Sequence, residues 1–127
     1  MSGWQKLVLE VPIRPFSLNA ERTKGHWSQV RAEVTIARDA GYLIAKKALA
    51  GAEGLERVSI DVYPWSRDRR GRQDPGNCYS SAKAIIDGFV RARLIPDDSD
   101  THVAWLRFWP HQFGRDAHVL ILEEVPE

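Results

Sequence analysis

YSSAKAIIDGFVRARLIPDDSD, residues 79–100, decides how the chain is built. Ala82, Ile85, Ile86, Phe89 and Val90 recur at i, i+3, i+4, i+7 and i+8, which places one apolar face on a helix. The spacing predicts that helix over 79–94, with Asn77 or Ser80 as its N-cap, until Ile95-Pro96 stops it. The acidic turn DDSD, residues 97–100, follows.

Strands flank this helix. RVSIDVYPW (57–65) alternates Val58, Ile60 and Val62 with Arg57, Ser59 and Asp61, and runs toward Pro64. HVAWLRFWP (102–110) and DAHVLILEEV (116–125) are partly apolar on both faces and are joined through Gly114. They are expected to form a hairpin in the middle of a covered sheet. Upstream, Trp27, Val30, Val34, Ala37, Gly41, Ile44 and Ala48 mark a helix over 26–50, stopped by Gly51 and Gly54. WQKLVLEVP (4–12) reads as a strand ended by Pro12, and the aperiodic 14–25, with Arg14, Arg22 and Lys24, as a basic loop. The order β-α-β-α-β-β predicts one α/β or α+β domain over 1–127, built on a small sheet with two main helices. There is no internal repeat and no low-complexity tract.

Composition narrows the function. At 43% hydrophobic and 28% charged the chain has the balance of a soluble globule, and no apolar run approaches a membrane span. The N-terminus lacks a signal-peptide pattern, and Cys78 is the only cysteine, which excludes an internal disulfide and a CxxC pair. A reducing, cytoplasmic setting is expected. A net charge of +1 argues against binding nucleic acid by global charge, and leaves a local patch open.

Such a patch exists. Arg67, Arg69, Arg70 and Arg72 fall within six residues, diluted only by Asp68, and Gly71 and Gly76 let the backbone bend closely around a ligand. The planar guanidinium fork matches phosphate oxygens, although an exposed charge run is also what a solvated surface loop looks like. Asp74 follows directly, and Asp97, Asp98 and Asp100 lie beyond the helix. Carboxylates that hold Mg²⁺ can neutralise a phosphate and activate water. Lys83 is either a charge-stabilising cation or the partner of an ordinary i,i+4 pair with Asp87.

Other candidates are weaker. His26, His102, His111 and His118 have no ligand-like spacing, and His102 and His118 are expected to be hydrogen-bonded structural residues in strands. Cys78, at a helix start, can have a lowered pKa, but without a recognisable partner histidine it reads as packed. The tryptophans read as core, with Trp65, beside the arginines, in a position to face a nucleic acid.

The ordered combination RDRRGRQDPGN…AKAIIDGFVRARLIPDDSDTHV, residues 67–103, resembles the RusA family of Holliday junction resolvases. The family pattern has an arginine-rich run, a DxDN motif, a helix with lysine four residues before an aspartate, and a DD pair. Asp74 and Asn77, Lys83 and Asp87, and Asp97-Asp98 occupy those places, and SLN (17–19) and HW (26–27) also match the family's actinobacterial and phage branch. The resemblance implies an intertwined homodimer with a mixed sheet, an endonuclease that cuts four-way DNA junctions by paired symmetric nicks. It would use Mg²⁺, with Mn²⁺ as a substitute. Asp74 and Asp98 would be catalytic metal ligands assisted by Asp97, and Lys83 would act on the scissile phosphate. Arg67, Arg69, Arg70, Arg72, Asn77 and Asn19 would contact DNA.

One position departs from the pattern. Gly76 stands where the motif has its second acid. Slow cleavage, recruitment of Asp100 or Asp68, or junction binding without cutting are the three outcomes it leaves. Helix length adds an expectation: residues 79–94 span about 24 Å at ~1.5 Å per residue. Asp74 and Asp98 of one chain would then lie too far apart to share an ion, and two chains packed antiparallel would complete two shared sites.

Overall fold

The computed structural model describes residues 6–17, 27–67 and 78–126, except the side chains of 27–30. Five strands and two helices follow in the order β1 (Lys6–Val11), α1 (Trp27–Leu49), β2 (Val58–Ser66), α2 (Tyr79–Arg91), β3 (Val103–Phe108), β4 (Gln112–Phe113) and β5 (Ala117–Glu124). This is the mixed α+β architecture expected, with the two-residue β4 added.

The sheet order is β1-β5-β2-β3, and β4 continues the β3 side of β2. β2 runs parallel to β3 and β4 and antiparallel to β5. The expected hairpin between 102–110 and 116–125 is therefore incorrect, because β2 lies between those strands. The connection crosses the C-terminal end of β2. There the Gly114 amide donates to the Ser66 carbonyl (3.1 Å), and Gly114 holds the positive φ of 129° that a side chain would oppose. The Asp116 carboxylate then accepts from the Arg67 amide at 2.8 Å and secures the far side of the arch. Alternation in the sequence reports which residues are buried; it carries no information on which strand is the neighbour.

Pro64 sits in this central strand, where a missing N–H would normally cost a ladder bond. The even-numbered residues of β2 direct their backbone groups toward β3: the Val58 amide donates to the His102 carbonyl, and the Val62 carbonyl accepts from Trp109. Pro64 thus faces the gap between β3 and β4, where residues 109–111 leave the ladder. No bond is lost there.

Both helices cover one face of the sheet. Leu9, Val11, Val58, Ile60, Val62, Leu120 and Leu122 meet Ala37 and Ala45 of α1 and Ala82, Ile85, Ile86 and Phe89 of α2 in one core. The helices approach until their backbones touch: a β-carbon on Gly41 would collide with the Ile85 carbonyl, and one on Gly88 with the Arg38 carbonyl. On the opposite face, among the described residues, no helix lies over β2. Asp61 is nonetheless only 8% exposed, because Arg107 and the Trp109 indole fold over it.

Cys78, rather than Asn77 or Ser80, occupies the N-cap of α2 and makes no side-chain cap bond. The helix ends at Arg91, three residues short of the expected Leu94. Arg93 takes a left-handed turn at φ 65°, and the Leu94 amide bonds back to the Phe89 carbonyl at 2.9 Å. Leu94 and Ile95, both fully buried, turn the chain into the core. Among the described residues no helix is long and apolar enough to cross a membrane.

Candidate functional site

Lys83 lies in the second turn of α2, half-buried on the side away from the core stripe. Its ammonium donates to Asp87 Oδ1 at 2.9 Å and also to Asp98 Oδ2. Asp97 is adjacent, its Oδ1 accepting from the Asp98 amide at 2.7 Å. The i,i+4 spacing alone accounts for the Asp87 contact. The contact with Asp98, fifteen residues away, depends on the reversal at Arg93 and the burial of Leu94 and Ile95, which return the acidic turn along its own helix.

That return corrects the length argument. Asp98 does not stand beyond the far end of α2. It lies beside the helix at the level of the Lys83 ammonium, so the 24 Å separation, and with it the need for a second chain to complete the site, no longer follows. Asp74, Asp68, Arg69, Arg70, Arg72, Asn77 and Asn19 lie outside the described residues. Arg67 is described and exposed, its amide held by Asp116. Asp100 is exposed on the same acidic turn.

Among the described residues no three His, Cys, Asp or Glu side chains are grouped to hold a metal. The donor chemistry nevertheless suits one: two carboxylates, Asp87 and Asp98, already converge on a single cation, the Lys83 ammonium, with Asp97 alongside. Hard oxygen donors of this kind match Mg²⁺, which takes one or two carboxylates and keeps several waters.

The remaining polar candidates are structural. Burial pushes the Cys78 thiol up to about 12, so it is packed and inert, as favoured from the sequence. His102 precedes β3 and bonds through Nδ1 to the Glu56 carbonyl at 2.8 Å. Trp65 does not present an open face on both sides, since the Arg115 guanidinium sits 4.1 Å from its ring centroid. Arg14, from the expected basic loop, is 3.9 Å from Glu33.

Two clusters escaped sequence reasoning. Asp61 accepts two bonds from Arg107 (2.7 and 2.9 Å) and one from Trp109 Nε1 (2.8 Å). Burial pushes its carboxyl up, but these hydrogen bonds and the Arg107 charge outweigh that and leave it below its usual value. The second cluster joins His118 of β5 to Ser81 of α2, Nε2 to Oγ at 2.7 Å, with neither residue exposed. No local pattern links these partners; the fold alone brings them together. Neither a protein-family model nor a curated protein matches the chain.

Proposed function

We propose that the protein is a RusA-type endonuclease that nicks four-way DNA junctions with Mg²⁺, or Mn²⁺ in its place, and acts as a homodimer. The observation that carries this reading is the meeting of Lys83 with Asp87 and Asp98 beside Asp97. Three of the residues that the family likeness would make catalytic or metal-binding share one cation-holding cluster. Asp74 would join them from the segment that precedes α2.

Bound Mg²⁺ would supply Lewis-acid polarisation of the phosphate and a water of lowered pKa. Asp98 and Asp74, with Asp97, would hold the ion. Lys83, positioned by Asp87, would donate to a non-bridging phosphate oxygen as charge grows there. Arg67, Arg69, Arg70 and Arg72, with Asn77 and Asn19, would hold flanking phosphates and set the register of the strand. A two-fold dimer presents two such sites to the two opposed strands of a junction.

The decisive experiment is nicking of a synthetic four-way junction. Wild type is expected to give Mg²⁺-dependent paired nicks, and Asp98→Asn, Asp74→Asn and Lys83→Met each to lose on the order of 10²-fold or more, the scale of removing one charge-stabilising group. A second reading is favoured by Gly76, which removes a carboxylate from the motif: a protein that binds junctions without cutting them. Tight junction binding with no nicks in either Mg²⁺ or Mn²⁺ selects it.

A further inference from the structure

α1 carries two exposed aliphatic side chains on the face turned away from the sheet. Ile36 is 58% exposed and Leu43 64%. At ~3.6 residues per turn they stand opposite Ala37, Gly41, Ala45 and Leu49, the buried side of the same helix. Single exposed apolar residues are ordinary, but these two lie one heptad apart, and Ala32 and Ala50, also exposed, continue the row. The large exposed rings elsewhere have company within the chain. Trp109 stacks on Tyr63 at 5.5 Å, Tyr79 lies 5.8 Å from Phe108, and Arg107 lies 5.7 Å from the Trp105 centroid.

The charges beside this row are arranged to suit a second copy of it. Asp39 lies four residues before Leu43, and Lys46 and Lys47 lie three and four residues after it, all of them exposed. Asp39 is seven and eight residues from the two lysines, beyond the three- or four-residue spacing at which neighbours pair on one helix. Turning another α1 about a two-fold axis at Leu43 sets each residue before position 43 level with its counterpart after it in the other chain. Leu43 then meets Leu43, Ile36 comes level with Ala50, and each Asp39 falls between Lys46 and Lys47 of the partner subunit.

We infer that the exposed face of α1 is an interface between two copies of this chain, packed antiparallel about Leu43. Ile36 and Leu43 form its apolar row, and Asp39 pairs across it with the lysines of the other copy. This gives the proposed homodimer a contact surface and rests on that part of the reading alone.

The test introduces one cysteine at a time. Cys78 is buried and its thiol pushed up to about 12, so the wild-type chain should give no cross-linked species under mild oxidation. Helix axes ~8–10 Å apart bring two-fold-related Cα atoms within ~5.4 Å, inside the reach of a disulfide. Leu43→Cys should therefore form a linked dimer, whereas Ile36→Cys, its two copies about 21 Å apart along the axis, should not. Sedimentation tests the charges. Asp39→Lys alone, and Lys46→Asp with Lys47→Asp, should each weaken self-association roughly tenfold. An equimolar mixture of those two variants should pair again as a heterodimer. A wild-type dimer in which Leu43→Cys stays unlinked, or Ile36→Cys links as readily, overturns this interface and leaves the homodimer standing on another surface. A mixture that does not pair overturns it as well. A wild-type chain that stays monomeric at every concentration removes the homodimer and this inference together, while junction nicking would still report on the endonuclease.

Discussion

At the scale of single residues, burial and hydrogen bonding give His118 a pH signature. Its pKa is about 4 in the folded chain and near 6.5 when unfolded, so between those values the unfolded state binds more protons. Stability is complete above pH 6.5 and falls as pH drops toward 4, by about 3 kcal/mol in total. His118→Gln is expected to be less stable at pH 7 but to lose less on acidification, which melting curves from pH 7 to 4.5 would show. His111, also pushed down by burial, adds a smaller slope of the same sign that His118→Gln retains. Asp61 does not interfere in this window: its lowered pKa withdraws stability only as pH falls below about 3.8. An acid limb as steep in His118→Gln as in wild type would contradict the assignment. The sequence suggested a hydrogen-bonded histidine at 118, and nothing in it pointed to Ser81, because the contact depends on α2 lying across β5.

Between elements, the α1–α2 contact is governed by two glycines. Gly88→Ala should gain roughly 1 kcal/mol of helix propensity. The added β-carbon would meet the Arg38 carbonyl and stand 2.6 Å from the Tyr42 nitrogen, both of them backbone atoms that cannot swing aside. Such overpacking costs about 1–3 kcal/mol and more when only backbone can yield, so the collision outweighs the propensity. Urea unfolding of Gly88→Ala is expected to show a net loss of about 2 kcal/mol, and a gain would mean the helices can separate freely. The stripe through Ala37 and Gly41 was legible in the sequence, and so were both helices to within a few residues. The strand order was not. Residues 102–110 and 116–125 are joined through a glycine as a hairpin would be, yet the tertiary structure inserts β2 between them. Burial of β2 on both faces, with Arg107 and Trp109 over Asp61, is what makes it central.

For the whole molecule, overall charge and local charge lead to different expectations. Eighteen Lys and Arg nearly balance seventeen Asp and Glu, so non-specific attraction to DNA is weak, while four arginines fall in residues 67–72. Junction binding should therefore weaken with salt at a log–log slope of roughly −4 per chain if those four engage phosphates. Filter binding across a salt series checks this, and a slope near zero would mark the arginines as solvated surface. Light scattering of the free protein is expected to give the mass of two chains.

Local properties were already determined by the order of residues: two amphipathic helices, the apolar faces of the strands, a packed cysteine, the arginine run, and the Lys83–Asp87 spacing. Each depends on periodicity or proximity along the chain, which short segments carry in themselves. Only the tertiary structure decided that the 102–110 and 116–125 strands are not partners, that Ser81 meets His118, and that Asp98 returns to Lys83. Each of those depends on a long-range contact or a reversal. The sharpest case is the turn at Arg93, where a left-handed residue that is not glycine bends the acidic segment back along α2 because Leu94 and Ile95 are buried more favourably in the core than in water.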